Sequence, residues 1–560
     1  MELKAMTATT GKRRSLVLLT LTIAVLAAAA LVLDRFHFSL DLTSQGTYSL
    51  SPLSRNLYKE LPDRLHITYY VSPELSARHP GPRQVEDFLR KFEANGHGRI
   101  SVEVADPRSS AGALEALGLS AQRMQVIVDN EARVAVVYSG IVVQYAGRTE
   151  SVPFVLGLDG LEYDVVKAAY RALSGKPAVA AVIVGDADKS WANDYRSLDD
   201  SLRASGWQVQ QLSPGEAVPA DARVLLVLGN TDLDDYAAYR IDAYLAQGGS
   251  VFMAARGVGI ETQSGLAAAP LRQDALVRAL GAWGVNLAPD LVLDQSARTL
   301  PFQEANSAGG SSVRYVPYPH WIVVRAEDSD RKNPLTASFT GLDLMWASPL
   351  QLSPAAGVVA TPLVRTTHRA WLQTKNFAVA PEDEARYAEE APTTTSQYIL
   401  AASLVGRMPM AYAGKPLPSR PGAAPLPALP SEAKPSRLIV IGSADFTTDL
   451  MTLTDSLFNA SFAANAVEWV SYGDEIAALK ARGSRDPRLT KIQDPAQKSL
   501  VQLLALGINI LVLPGGVALF GFVKARRRKS AVTLQAPRPE APVTPDPARN
   551  AGENEGGSTR

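Results

Sequence analysis

Ala178-Val-Ala-Ala-Val-Ile-Val-Gly-Asp-Ala-Asp188 decides the fold. Seven apolar residues in a row, with no polar alternation, suit a strand covered on both faces in the middle of a parallel sheet. Working outward, 195–205 reads as a helix and 207–212 and 223–228 as strands. Residues 234–247 read as an amphipathic helix closed by Gly248-Gly249, and 250–255 as the next strand. That βαββαβ order, with turns rich in Gly and Asp, indicates an open α/β sheet. A helix at 274–283 and a strand at 290–293 follow. Arg437-Leu-Ile-Val-Ile441 restores a buried strand, and 458–472 an apolar helix, which return to the same sheet. Between them, 300–320 is rich in Gly, Ser and Pro, 375–395 is a polar loop, and proline-rich 413–436 resists a packed assignment.

Upstream lies a second alternation. Residues 65–71 read as a strand, and 84–95 as a helix with Val85, Phe88, Leu89 and Phe92 on one stripe. A strand at 98–104 and a short helix at 111–118 come next, then strands at 124–129, 132–137 and 140–145 as a meander. This is the order of a thioredoxin-like α/β layer. The chain has no cysteine. The Cys-x-x-Cys of redox members is therefore missing, and a binding or structural role is left. A helix at 161–173 links the two units.

Two apolar stretches bracket this body. Residues 16–33 are apolar except for Thr20 and Thr22, and 503–523 except for Asn509, with a Pro514-Gly515-Gly516 break. Each is long enough to cross, or nearly cross, a hydrocarbon core of about 30 Å as a helix. Lys12, Arg13 and Arg14 precede the first; Lys524, Arg526, Arg527, Arg528 and Lys529 follow the second. Positive charge stays inside, so both termini are expected in the cytoplasm and the bulk in the periplasm or outside the cell. The first run continues past Ala27–Ala30 to Leu33, which favours an anchor over a cleaved signal. The expected division is a cytoplasmic N-terminus (1–15), a transmembrane helix (16–33) and a connecting segment (34–62). A thioredoxin-like domain (63–155) and a larger open α/β domain (156–475) follow. A connector (476–499), a second transmembrane helix (500–523) and a disordered cytoplasmic tail (524–560) complete it.

With 56 basic and 56 acidic residues the formal charge is zero, which implies no nucleic-acid partner. No phosphate-binding Gly-x-x-x-x-Gly-Lys-Ser/Thr and no Gly-x-Ser-x-Gly occurs. Gly257-Val-Gly259 lacks the third glycine of a dinucleotide loop, and the six histidines show no paired metal spacing. No catalytic residue, metal ligand or cofactor is expected. Open α/β sheets bind ligands at their strand ends. Three turns stand there: Gly185-Asp-Ala-Asp188, Gly229-Asn230 and Gly442-Ser-Ala-Asp445. Asp186, Asp188, Asn230 and Asp445 are the candidate ligand-binding residues, against the plainer reading of tight turns and helix caps. A hydrolase using Ser or Asp at these ends, and a structural or glycan-binding body stacking sugars on Tyr315, Tyr318 and Trp321, are the alternatives.

Asp41-Leu-Thr43 and Tyr48-Ser-Leu-Ser-Pro52 after the first apolar stretch, Ile67-Thr-Tyr-Tyr-Val71, Gly442-Ser-Ala-Asp-Phe446, Asn459, Asn465-Ala-Val-Glu-Trp469, and a final apolar stretch with Pro514 and an Arg526-Arg-Arg528 stop form an ordered set. In this set the chain resembles the GldG-type auxiliary subunits of ABC transporters, a family called after a gliding-motility protein. The resemblance implies a non-enzymatic membrane protein beside an ABC permease and a separate ATP-binding subunit, with an outer domain facing substrate, an envelope or glycan ligand, or the permease. It also implies a glutamine-amidotransferase-like fold for the larger domain. That chemistry needs a cysteine on a strand-to-helix turn. The turn after Leu228 carries Gly229-Asn-Thr231 instead, so the fold is expected without the activity. The family supplies no catalytic residues to carry over.

Overall fold

The computed structural model describes residues 49–483, apart from 111, 129–130, 262–265, 272–273, 306–310, 338 and 381–394, together with Ser499. The apolar stretches expected to span a membrane, at 16–33 and 500–523, lie outside the described residues, as do the 524–560 tail and 484–498 of the connector expected at 476–499, whose first residues belong to the helix Asp474–Gly483. Among the described residues no helix is long and apolar enough to cross a membrane.

The first unit is a four-stranded mixed sheet. β1 (Leu65–Val71) lies parallel to β2 (Ile100–Ala105) and antiparallel to β3 (Ser139–Tyr145), which pairs antiparallel with β4 (Arg148–Val152). Helix α1 (Gly81–Asn95) crosses between β1 and β2 and buries Val85, Phe88, Leu89 and Phe92, the stripe read from sequence. Two expectations give way. Residues 112–118 form turns rather than a helix, closed by Gly118 at φ +77°. Strands Gln122–Val128 and Glu131–Val137 do not extend the sheet as a meander; they pair with each other in a separate hairpin.

The core of this unit also reaches past 63–155. Leu57 and Leu61 from the preceding segment are fully buried in it. So are Leu161, Val165, Val166 and Ala169 of α2 (Leu161–Ser174), and Ile476 and Leu479 come from far along the chain. The helix expected as a linker therefore packs as a wall of the first unit. Burial of its apolar face against β3 and β4 decides this, and sequence position does not.

The second unit is a nine-stranded sheet. Its parallel part runs β6 (Trp207–Leu212), β5 (Ala178–Val184), β7 (Ala222–Leu228), β8 (Ser250–Ala254), β13 (Ser436–Ile441). Beyond β13 the direction reverses with β12 (Ile399–Gly406). β10 (Leu350–Leu352) and β11 (Val358–Arg365) both pair with β12, and β9 (Val285–Leu287) closes the edge on β10. The unbroken apolar run of β5 now has its reason. Ala180, Val182 and Val184 face one core with α3 (Arg196–Ala204) and α6 (Phe458–Tyr472). Ala181 and Ile183 face the other, with α4 (Asp235–Ala246) and α5 (Ala275–Trp283). Side chains alternate across the sheet and both faces are covered, so every position is apolar.

The region read as irregular around 300–320 is instead a long hairpin, Ala297–Ala305 against Ser311–Val324, with Leu342–Met345 as its third strand. The proline-rich 413–435 segment has neither helix nor strand, yet it is laid onto α4. Tyr236 donates to the Ala424 carbonyl at 2.5 Å and Tyr239 to that of Pro427 at 2.6 Å, and Arg420 pairs with Asp234 at 2.5 Å. Proline lacks the N–H that a sheet ladder needs, so side chains supply the attachment.

Candidate functional site

The parallel strands stand in the order second-first-third-fourth-fifth by chain position. The chain leaving β5 passes to α3 on one face of the sheet and the chain leaving β7 to α4 on the other, which makes the gap between β5 and β7 the topological switch point. The four candidate residues are brought to this end of the sheet. Asp186 follows β5, Asn230 follows β7, and Asp445 follows β13, while Asp188 stands at the rim.

The turns approach each other so closely that glycine is required. A Cβ on Gly185 would lie 2.3 Å from the Gly229 carbonyl oxygen. Gly229 has φ +83°, and a Cβ there would meet the Asp186 carboxylate at 2.3–2.5 Å. Asp186 Oδ1 thus accepts from the backbone N–H groups of Asn230 (3.0 Å) and Thr231 (3.1 Å) and from the Thr231 hydroxyl (2.9 Å).

What fills the centre is Arg256, just past β8. Its Nη2 donates to Asp186 Oδ2 at 2.6 Å and lies 3.1 Å from Asp445 Oδ2. Lys189 Nζ reaches Asp445 and Asp188, each at 3.3 Å. The Asn230 side chain reads the Arg256 backbone at both ends, donating to its carbonyl at 3.1 Å and accepting from its N–H at 2.9 Å. Asp186, Arg256 and Asp445 are 2–3% exposed. Burial alone would lower the basicity of Arg256; Asp445 and Asp186 outweigh it and hold the guanidinium more firmly protonated than usual. Lys189 is raised in the same balance, its burial offset chiefly by Asp445. The Tyr195 hydroxyl is pushed well up by burial and by the two aspartates. Among the described residues, its oxygen and Arg256 Nε have no hydrogen-bond partner, and Asp445 Oδ1 is met by the Lys189 ion pair alone.

Chemically this is a filled crevice. The place where open α/β sheets receive ligands holds the chain's own guanidinium between two carboxylates. The candidate ligand-binding residues Asp186 and Asp188 face cations of the chain itself, Arg256 and Lys189. Among the described residues no group of three His, Asp or Glu is arranged to hold a metal ion. The serines nearest the cluster are tied to backbone: Ser443 Oγ donates to the Met345 carbonyl at 2.6 Å, and Ser348 Oγ accepts from the Gly257 N–H at 2.9 Å. Of the aromatic residues considered for sugar stacking, Tyr315 is exposed. Tyr318 and Trp321 are buried in a core under the long hairpin, where Tyr318 donates to the Val379 carbonyl.

The sequence reading missed Arg256, Lys189, Thr231 and Tyr195. The first two were within reach of the rule that found the others, since Arg256 is two residues past an apolar strand and Lys189 adjoins Asp188. Thr231 likewise adjoins Asn230, whereas Tyr195 carries no such signal.

A second buried network joins the two units. Glu468 on α6 accepts from Tyr163 (2.5 Å) and lies 2.8 Å from Lys167 Nζ, both on α2. It also lies 3.1 Å from Lys480 on α7 (Asp474–Gly483), which donates to Asn465 at 2.7 Å. Burial opposes the Glu468 charge, but the two ammonium groups and the hydrogen bonds from Lys167 and Tyr163 outweigh it, and the carboxyl lies below its usual range. At Lys167 burial outweighs the Glu468 carboxylate, and the ammonium is lowered.

Comparison with known proteins follows this layout. A family model described as an ABC-type uncharacterized transport system matches residues 176–471, more than half of the chain. A domain of unknown function matches residues 44–144. An uncharacterized protein of Borreliella burgdorferi is 22% identical over 534 residues, covering 93% of this chain and 99% of its own. Among solved structures, ThuA-like proteins of Parabacteroides merdae and Bacteroides uniformis align over 53% of this chain and 91% and 95% of theirs. Their identities are 10% and 8%, with TM-scores of 0.26 and 0.27.

Proposed function

The chain belongs to the family of ABC-type uncharacterized transport system auxiliary proteins, and from that premise we propose that it is a non-enzymatic, GldG-type subunit anchored in the bacterial cytoplasmic membrane by residues 16–33 and 500–523. Its body, on this reading, hangs outside the cytoplasm and couples a permease and a separate ATP-binding subunit to a substrate or envelope partner, in export, envelope maintenance or gliding motility. The first unit is read as a cysteine-free thioredoxin-like layer and the second as an amidotransferase-like sheet without the nucleophile.

The observation that carries a coupling role over catalysis is the closed switch point. Arg256 occupies the crevice, so the strand ends hold the sheet rather than open onto substrate. The stems support the same reading. The short helix Pro52–Asn56, which follows the first apolar stretch in sequence, is tied to α2 through Glu162, which accepts from the Ser51 N–H and the Ser54 hydroxyl at 2.6 Å each. Helix α7, which precedes the second stretch in sequence, packs on α2 as well. Displacement of either stem would thus reach α2 and, through Glu468, the large sheet.

The deciding experiment is affinity purification of the tagged chain from its native membrane. The permease and nucleotide-binding subunit of one transporter are expected in stoichiometric yield. A chain recovered alone, under conditions that keep another ABC transporter intact, would overturn the reading.

A further inference from the structure

At the opposite end of the sheet from Arg256, around the first residues of β5, β6 and β7, lies a cavity of about 940 Å³ walled by α2, the end of α6 and the start of α7. Small-ligand sites span roughly 300–1,000 Å³ and favour junctions between domains. Its charges are unequally committed. Of its carboxylates, Glu468 is neutralised by Lys167 and Lys480, and Glu60 accepts from Tyr170 at 3.2 Å. Arg171 is engaged with the Ser205 carbonyl at 2.7 Å. Among the described residues, no carboxylate or hydrogen-bond acceptor engages the Lys176 ammonium or the Arg223 guanidinium, and Asp221 is the one lining carboxylate left to oppose them. Arg223 is nonetheless held in place. Its guanidinium carbon lies 4.4 Å from the centre of the Tyr472 ring, which packs on Trp207 at 5.9 Å. A cation fixed through its face keeps its N–H donors for another partner. Gln208 and Gln210 of the edge strand β6 also border the cavity, and among the described residues no hydrogen bond engages their side-chain amides.

We propose that this cavity binds a small anionic ligand, a phosphate or carboxylate carried on a sugar-sized hydroxylated body, with Arg223 and Lys176 taking the oxyanion and the glutamine amides the hydroxyls. Planar donors of arginine match such oxyanions. Aromatic residues at the wall give the ring an apolar side to rest against. The site is distinct from the strand-end cluster and does not depend on how the chain is anchored.

The test uses the full-length chain in detergent, titrated with glucose 6-phosphate, with glucuronate and with uncharged glucose, and read by calorimetry and by tryptophan fluorescence, since Trp207 lies in the wall. Saturable binding of at least one anion is expected, with glucose at least tenfold weaker. Arg223→Gln with Lys176→Gln should weaken the anion at least tenfold, and Lys176→Gln alone severalfold, while the melting temperature set by the Glu468 network stays in place. Trp207→Phe should remove most of the fluorescence response. The phosphate and carboxylate arms identify which oxyanion is preferred. Binding unchanged by the substitutions, a response that survives Trp207→Phe, or no saturable binding of either anion would overturn the proposal.

Discussion

Arg256 is the residue on which the strand-end cluster turns. Two carboxylates are buried against it, and removing one partner of such a network leaves uncompensated charge in a low dielectric. Arg256→Met should therefore destabilise the large sheet by about 3–5 kcal/mol, read as a lowered denaturant midpoint. The reverse result, a variant as stable as wild type, would mean the aspartates bind something other than this guanidinium. Glu468 makes a pH-dependent statement. Its folded carboxyl titrates below the ordinary glutamate value of 4.5, so the folded chain binds fewer protons there than the unfolded chain. The stabilisation is present at neutral pH and is lost as pH falls below 4.5 through the folded value. Glu468→Gln should lower stability at pH 7 by about 2 kcal/mol and flatten the acid limb of the stability curve. An acid limb identical to wild type would assign that limb to other carboxylates.

At the scale of elements, the proline-rich strap and α4 depend on each other through tyrosine hydroxyls. Tyr236→Phe with Tyr239→Phe removes two hydrogen bonds to its carbonyls, each contributing about 1 kcal/mol. Limited proteolysis should then cut within 413–435 at least severalfold faster, with the sheet intact. Equal rates in both proteins would show that Leu426 and Leu429, packed on the same core, suffice to hold it. The strands themselves were legible to differing degrees. β5, β7, β8 and the strand expected at 437–441 carry continuous apolar runs because helices cover both their faces. The hairpin at 297–324 was not legible, since Val313 and Tyr315 stand exposed on its outer face and prolines interrupt it at 301, 317 and 319. Strands that hide one face and break their own alternation look like loop.

For the whole molecule, the topology is the decisive expectation. The chain has no cysteine, so a single introduced thiol reports its location without background. Leu417→Cys, at an exposed site in the strap, should react with a membrane-impermeant maleimide on intact cells or spheroplasts, and a cysteine placed beyond residue 529 should react only after lysis. Inverted labelling would place the body inside and end the proposed coupling across the membrane.

The sequence by itself determined that an open α/β sheet lies at the centre, because a run such as Ala178–Val184 has no stable place except between two covering layers. It also marked Asp186, Asn230 and Asp445, because strand ends in such a sheet need turn-forming polar residues. Only the tertiary structure decided that these residues share one guanidinium, that α2 belongs to the first unit, and that the far end of the sheet encloses a cavity. Each of these depends on segments tens to hundreds of residues apart coming into contact, and side-chain periodicity records which face of an element is buried but not which partner buries it.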